Sequence, residues 1–151
     1  MALPVSMATA GLTVFEASGL DVDGTPSEFQ FFADGGHIPR NRFIQPRIEA
    51  EIAFVMKSAI TGPDITREDV IAATDYVCPS LEILDTRILR QDPSTRTPRK
   101  IFDTIADNAA NAGIVLGEQK HGIDAFDLRW VGAIVAKNDE VEETGLGAGV
   151  L

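Results

Sequence analysis

The alternation of apolar and polar residues is clearest between Phe43 and Met56, where it predicts a β-strand. The apolar residues of one face are Ile48, Ala50, Ile52 and Phe54. Side chains at positions i and i+2 of a strand project to the same side, so Glu49 and Glu51 project together from the other face. Ala53 and Val55 continue that second face, which indicates that both faces are covered. This strand therefore carries two neighbouring carboxylates into a partly apolar environment.

A helix is predicted next, after the turn residues Gly62-Pro63-Asp64. Thr66 is a good N-cap, acidic residues occupy the first turn, and an apolar stripe continues as far as Val77. Pro79 ends the helix. The segment LEILDTRIL, residues 81–89, then predicts a second strand.

The second half of the chain predicts a loop, a short helix, a strand and a hairpin. Residues 90–100 contain two prolines and four basic residues, which favours a solvated surface loop. Residues 101–113 predict a short helix closed by Gly113, and the apolar segment IVLG predicts a buried strand. Asn138-Asp139 lies between two strand-like segments and predicts the tight turn of a β-hairpin, with Trp130 in the hairpin core.

Residues 1–36 form a poorly defined N-terminal segment, because they are rich in turn-forming residues. The pair Phe31-Phe32 is expected to anchor this segment to a core. Taken together, the elements predict an α+β fold with a mixed or antiparallel sheet and a few short helices.

Composition narrows the classes of partner. The 151 residues include 23 acidic and 13 basic side chains, a formal net charge of −10, which disfavours binding to nucleic acid or to an anionic membrane. No apolar run is long enough to cross a bilayer, and the N-terminus lacks the basic residues of a signal peptide. The single cysteine, Cys78, excludes an internal disulfide and is expected to be a packed thiol. We therefore expect a soluble, cytoplasmic protein.

A third glutamate, Glu82, lies in the second predicted strand. If that strand lies beside the first, the carboxylates of Glu49, Glu51 and Glu82 meet, and burying them together requires a cation. Three carboxylates suit Mg²⁺ or Mn²⁺ better than zinc, and Cys and His residues are scarce. The alternative is a solvated sheet face on which Arg47 pairs with the glutamates, and spacing alone leaves both interpretations open.

Longer words carry a family resemblance. RFIQPRIEAEIAF, ATDYVCPSLEILDTRI, DPSTRTPRKIFDTIADNAANAGIVLG and DLRWVGAIVAKNDEVEETGLGAGVL occur in this order. Together they resemble the 2-oxo-hept-4-ene-1,7-dioate hydratases of homoprotocatechuate breakdown, in the hydratase/decarboxylase branch of the fumarylacetoacetate hydrolase superfamily. The resemblance covers about residues 31–151. It implies a mixed sheet or roll core, a lyase activity, a small-molecule 2-oxo dicarboxylate substrate and assembly into homo-oligomers.

The resemblance also implies roles for particular residues. Glu49, Glu51 and Glu82 are expected to hold a divalent metal, usually Mg²⁺, which acts as a Lewis acid on the 2-oxo acid end of the substrate. Asp107 and Asn108, in the word DNAANAG, are expected either to shape the pocket and orient the ligands or to end a helix. Apart from the resemblance, His37 and His121 lie in turn or loop segments and are expected to be solvated, and Asp85 and Arg87 share a predicted strand and are expected to form an ion pair.

The chain departs from the family pattern at both ends. The catalytic lysine that the family carries upstream of the glutamates is absent, so the catalytic acid or base is unassigned. The family's continuation beyond GAGVL is also missing. We therefore expect residues 37–151 to be a partial catalytic domain that lacks its C-terminal portion. A decarboxylase of the same branch and a non-catalytic, metal-binding or subunit-interaction remnant are the alternatives to a hydratase.

Overall fold

A computed structural model describes residues 12–13 and 31–149 of the chain. Its strands are β1 (Leu12–Thr13), β2 (Phe31–Phe32), β3 (Arg47–Met56), β4 (Thr74–Leu84), β5 (Asn111–Leu116), β6 (Gly132–Lys137) and β7 (Glu140–Leu146). Its α-helices are α1 (Arg67–Ala73) and α2 (Ile101–Ala106). Short 3₁₀ turns lie at Asn108–Ala110, Leu128–Trp130 and Gly147–Gly149.

Five strands form one mixed sheet in the order β1-β3-β4-β5-β2. The central strands β3, β4 and β5 are antiparallel to one another, while the edge strands β1 and β2 pair in parallel with β3 and β5. Strands β6 and β7 form a separate antiparallel hairpin. The predicted α+β class with a mixed sheet is confirmed.

The apolar core lies on the face of the sheet that carries the even-numbered residues of β3. One buried cluster contains Ile52, Val77 and Ala133, and so includes a hairpin residue. A second contains Leu81, Ile83 and Val115, with Phe32 and Phe43 packed against it. Of the pair Phe31-Phe32, Phe32 therefore anchors its segment to the core as predicted, whereas Phe31 is 53% exposed. Of the predicted N-terminal segment, only residues 12–13 and 31–36 lie within the described residues.

Helix α1 begins as predicted and ends earlier than predicted. The hydroxyl of Thr66 accepts a hydrogen bond from the Asp69 N–H, and the Asp69 carboxylate accepts one from the Thr66 N–H, which completes a capping box. The predicted continuation to Val77 is wrong, because the chain enters β4 at Thr74 and pairs with β3. The strand predicted over residues 81–89 is likewise shorter at its end, since β4 stops at Leu84.

The helix predicted over residues 101–113 is also too long. Helix α2 ends at Ala106, and Gly113 is a strand residue of β5 opposite Ile83 rather than a helix cap. The buried strand predicted after the helix is confirmed, and it begins at Asn111.

The hairpin is confirmed with its predicted two-residue turn. Asn138 and Asp139 both have positive φ, 52° and 67°, as a type I′ turn requires. Trp130 is 72% exposed, so its predicted place in the hairpin core is wrong. The hairpin instead contributes Ala133 to the buried core cluster, and the half-buried Leu128 and Val131 pack against that cluster.

Candidate metal centre

The register between β3 and β4 brings the three glutamates together. Glu49 lies directly opposite Glu82, and Glu51 lies opposite Ser80, the next residue on the same face of β4. Each of the three side chains offers a carboxylate oxygen, and these oxygens lie within 4.8 Å of one another. The face they share is opposite the face that carries the apolar core.

Burial makes this arrangement costly without a counter-charge. Glu51 and Glu82 are 8% and 7% exposed, whereas Glu49 is exposed to solvent. Two carboxylate charges no more than 4.8 Å apart repel each other by at least about 3.5 kcal/mol at an effective dielectric constant of about 20. Among the described residues, neither Glu49 nor Glu82 forms an ion pair with arginine or lysine. The repulsion between Glu49 and Glu82, which lie opposite each other, therefore favours uptake of a proton or a cation.

Glu82 is held by Asn111. The Nδ2 of Asn111 donates a hydrogen bond of 2.7 Å to Oε1 of Glu82, and both side chains are buried. Burial raises the pKa of Glu82, the Asn111 hydrogen bond lowers it in part, and the charge of Glu49 raises it further. Without a cation, burial therefore favours the protonated form of Glu82.

Asn111 was missed by the sequence analysis, which singled out its neighbours Asp107 and Asn108. Asn108 is exposed and occupies a left-handed turn, whereas Asn111 is the first residue of β5. The sequence does contain a signal for Asn111, because Asn111 lies in the same strand as the apolar residues that follow it. The helix predicted as far as Gly113 assigned Asn111 to the helix instead of to that strand.

Asp107 binds Arg87 rather than the glutamates. Its carboxylate accepts hydrogen bonds from Nε of Arg87 at 2.8 Å and from the Arg87 backbone N–H at 3.1 Å. This corrects the expected Asp85–Arg87 ion pair. Asp85 is buried and instead accepts hydrogen bonds from the backbone N–H groups of Ile44 and Gln45. These bonds connect the segment just before β3 to the residue that follows β4.

The donor set fits a hard divalent cation. Six oxygens around Mg²⁺ at about 2.1 Å lie about 3 Å from their neighbours and about 4.2 Å from the opposite ligand. Carboxylate oxygens within 4.8 Å of one another reach those separations through small side-chain rotations. Carboxylates also suit Mg²⁺, Ca²⁺ and Mn²⁺ more than softer metals.

The remaining candidate groups lie away from this cluster. His37 is exposed, as expected. His121 is half-buried, exchanges two backbone hydrogen bonds with Val77 and packs edge-on against Phe126, so the expectation of a solvated side chain is corrected. Cys78 is 2% exposed, and burial raises the pKa of its thiol, which confirms the packed thiol.

Comparison with known proteins relates this geometry to enzymes. The chain is 54% identical over 121 residues to 2-oxo-hept-4-ene-1,7-dioate hydratase of Escherichia coli; the match covers 80% of this chain and 45% of that protein. A 4-oxalocrotonate decarboxylase of Pseudomonas putida G7, solved with calcium and acetate, matches with a TM-score of 0.67 and 38% identity. The same decarboxylase solved with magnesium and adipate gives a TM-score of 0.63 and 34% identity. The two structural matches each cover 80% of this chain and 42% or 41% of the other.

The resemblance to the hydratase/decarboxylase branch of the fumarylacetoacetate hydrolase superfamily is therefore confirmed over 80% of this chain. The chain is more similar to the E. coli hydratase than to the P. putida G7 decarboxylase. It spans about half the length of the relatives it matches. A search with models of protein families gives no match. In the part of the chain that the structure describes, no helix is long and apolar enough to cross a membrane.

Proposed function

We propose that Glu49, Glu51 and Glu82 bind one divalent cation, Mg²⁺ in the resting protein, for which Mn²⁺ can substitute. The observation that carries this proposal is the convergence of three carboxylates from two adjacent strands, with oxygens within 4.8 Å and two of the groups buried. Calcium and magnesium in the solved structures of the P. putida decarboxylase support it.

We further propose that the chain is the metal-binding part of a hydro-lyase that adds water to a 2-oxo-hept-4-ene-1,7-dioate-type substrate in homoprotocatechuate catabolism. The identity to the E. coli hydratase supports this substrate class. The bound cation would supply Lewis acidity at the 2-oxo acid end of the substrate. On this proposal, residues 37–151 are a partial catalytic domain that works in the cytoplasm and assembles into a homo-oligomer. Light scattering of the purified chain measures the assembly.

The residues of this site would bind the cation and orient its carboxylate ligands rather than transfer protons. Glu51 and Glu82 lie in a buried environment, where electrostatic interactions are stronger than in water. Asn111 would fix the orientation of Glu82 through its hydrogen bond, and partners of this kind commonly tune metal ligands. Lys57 is the first lysine of this sequence and follows the glutamates of β3, so residues 1–56 do not contain the lysine that the resemblance implies.

A decarboxylase is the second candidate, because both solved structures named above are 4-oxalocrotonate decarboxylases. The two reactions separate by product, since a decarboxylase releases CO₂ and a hydratase consumes the dienol without releasing it. The experiment assays the purified chain with Mg²⁺ for loss of the dienol absorbance and, separately, for CO₂ release from 4-oxalocrotonate, with Glu49→Gln as the control in both assays. Loss of dienol without CO₂ supports the hydratase. Metal binding without turnover of either kind supports a non-catalytic remnant.

A further inference from the structure

Three consecutive non-glycine residues adopt a left-handed backbone immediately before β5. Asn108, Ala109 and Ala110 have φ values of 50°, 53° and 67°. Left-handed backbone is unfavourable for residues with a Cβ, and consecutive instances are unusual. Such strain persists only where surrounding contacts hold it, so this turn requires an external restraint.

Arg87 supplies contacts on both sides of the turn. Before it, Nε donates to Oδ1 of Asp107 at 2.8 Å and Nη2 donates to the Asp107 backbone oxygen at 2.8 Å. After it, Nη1 and Nη2 donate to the backbone oxygen of Asn111 at 3.1 and 3.2 Å. One guanidinium therefore ties together the two residues that flank the left-handed segment.

The turn is also tied to the end of the strand that carries Glu82. The backbone N–H of Asp85 donates to the Ala110 oxygen at 2.7 Å, and the Ala110 N–H donates to the Asp107 oxygen at 2.8 Å. The next residue, Asn111, donates from its side chain to Glu82. The position of the Asn111 amide thus depends on the conformation of the turn before it.

We propose that Arg87 and Asp107 are positioning residues for the carboxylate cluster: their ion pair holds the left-handed turn at 108–110, and the turn presents Asn111 to Glu82. We call the Arg87–Asp107 ion pair and the turn at 108–110 that it holds the latch. The function of the latch rests on the proposed cation site, but the latch itself is present in the metal-free protein. Within the pair, the Asp107 side chain is buried, at 4% exposed, and the Arg87 side chain is 45% exposed.

The guanidinium is specifically required, because a fork of several N–H donors reaches three acceptors on two residues. Lysine keeps the charge and has one nitrogen, so it cannot span Asp107 and Asn111 in this way. Arg87→Lys therefore removes the geometry and retains the electrostatics. Asp107→Asn is a milder second variant, because the asparagine oxygen still accepts from Nε while the second carboxylate acceptor is lost.

The matched control is Arg129→Lys. Arg129 also forms an ion pair with an aspartate, Asp127, with Nε–Oδ1 and Nη2–Oδ2 distances of 2.9 and 2.6 Å. That pair lies in the exposed 3₁₀ turn before β6, away from the glutamates. The control makes the same chemical change without touching the latch.

The experiment measures two quantities in the full chain: the dissociation constant for Mn²⁺, and hydrogen exchange of the Asp85 backbone amide in the metal-free protein. We expect Arg87→Lys to weaken Mn²⁺ binding about tenfold, at the lower end of the range typical for partners of metal ligands. We also expect faster exchange at Asp85, because its acceptor is the Ala110 oxygen of the turn. Asp107→Asn should change both in the same direction by less, and Arg129→Lys should change neither.

The proposal is overturned if Arg87→Lys leaves both quantities unchanged. It is also overturned if Mn²⁺ binding weakens while Asp85 exchange stays the same, because the turn would then not transmit the effect. If Arg87→Lys fails to fold, the same two readouts are taken on Asp107→Asn. Absence of Mn²⁺ binding to the unsubstituted chain contradicts the proposed function instead, and the exchange measurement then decides the latch alone.

Discussion

Glu49 and Glu82 lie directly opposite each other on the antiparallel strands β3 and β4. Like charges in this position destabilise a sheet, and Glu51 adds a third carboxylate within 4.8 Å. The opposite face of the sheet carries the apolar core, where three neighbouring carboxylates would be strongly destabilising. The sheet therefore carries a local electrostatic cost that a proton or a cation relieves.

The double variant Glu49→Gln/Glu51→Gln should abolish stabilisation by Mg²⁺. A cation at about 100 times its dissociation constant stabilises the folded state by about 2.7 kcal/mol. For a chain of 151 residues this corresponds to a rise in Tm of about 5 to 10 °C. The measurement is thermal unfolding of both proteins with and without Mg²⁺.

The matched control for that variant is Glu140→Gln/Glu142→Gln. These residues form another Glu-x-Glu pair, on the exposed strand β7. The control protein should keep the full Mg²⁺-dependent rise in Tm. Equal rises in the β3 variant and the control would show that the ion acts at a solvated surface rather than at the cluster.

Glu82→Gln should change the pH dependence of stability in the metal-free protein. Burial raises the pKa of Glu82 in the folded state, so the folded state binds this proton more tightly than the unfolded state. The free energy of unfolding therefore falls as pH rises from the unfolded value of about 4.5 through the raised pKa. The glutamine keeps an acceptor oxygen for Asn111 and removes the charge.

We accordingly expect metal-free Glu82→Gln to be more stable than the unsubstituted chain at neutral pH. The difference should vanish below about pH 4, where the carboxyl is protonated in both states. Denaturant unfolding in chelator at several pH values measures it. A stability difference between the two proteins that stays constant with pH, or that moves in favour of the unsubstituted chain as pH rises, would refute the assigned direction of the pKa shift.

Ala109→Gly should stabilise the protein, which is unusual for a glycine substitution. Ala109 is exposed and has φ of 53°, so glycine relieves a left-handed backbone without removing a packed methyl group. The expected gain is about 0.5 to 1 kcal/mol, against the cost of a more flexible unfolded chain. Ala72→Gly, at an exposed position of helix α1, should instead cost about 1 kcal/mol. Equal losses for the two variants in denaturant unfolding would argue that the turn is unstrained.

Cys78 should be unreactive towards thiol reagents in the folded protein. It is 2% exposed, and the raised pKa keeps the thiol protonated at neutral pH. Ellman's reagent should label it only after unfolding in guanidinium chloride. Labelling at the rate of a free thiol under native conditions would contradict the buried position.

The sequence predicted best the features that depend on local pattern. Strand β3, the capping box at Thr66 and the turn at Asn138-Asp139 each follow from residues within a few positions of one another. The candidate carboxylates were also found this way, because the spacing of Glu49 and Glu51 fixes their shared face. The pairing of Glu82 with Glu49 was predicted only on the condition that their strands are neighbours, since 32 residues lie between them in the sequence.

The incorrect predictions share a physical cause. Residues 74–77 suit a helix by pattern, and the long antiparallel ladder with β3 overrides that local preference. The turn at 108–110 contains no glycine to signal left-handed backbone, and Arg87, more than 20 positions earlier, holds it through Asp107. The contact between Asn111 and Glu82 depends on that turn, so sequence pattern alone pointed to Asn108 and did not identify Asn111.

The most direct test of the central claim is the anomalous difference density of a crystal grown with Mn²⁺. The account predicts one strong peak about 2.1 to 2.2 Å from a carboxylate oxygen of each of Glu49, Glu51 and Glu82, at the distances typical of hard divalent cations. The peak should be absent from crystals of the Glu49→Gln/Glu51→Gln variant. Density that avoids these three side chains, with the carboxylates held by arginine or lysine, would contradict the account.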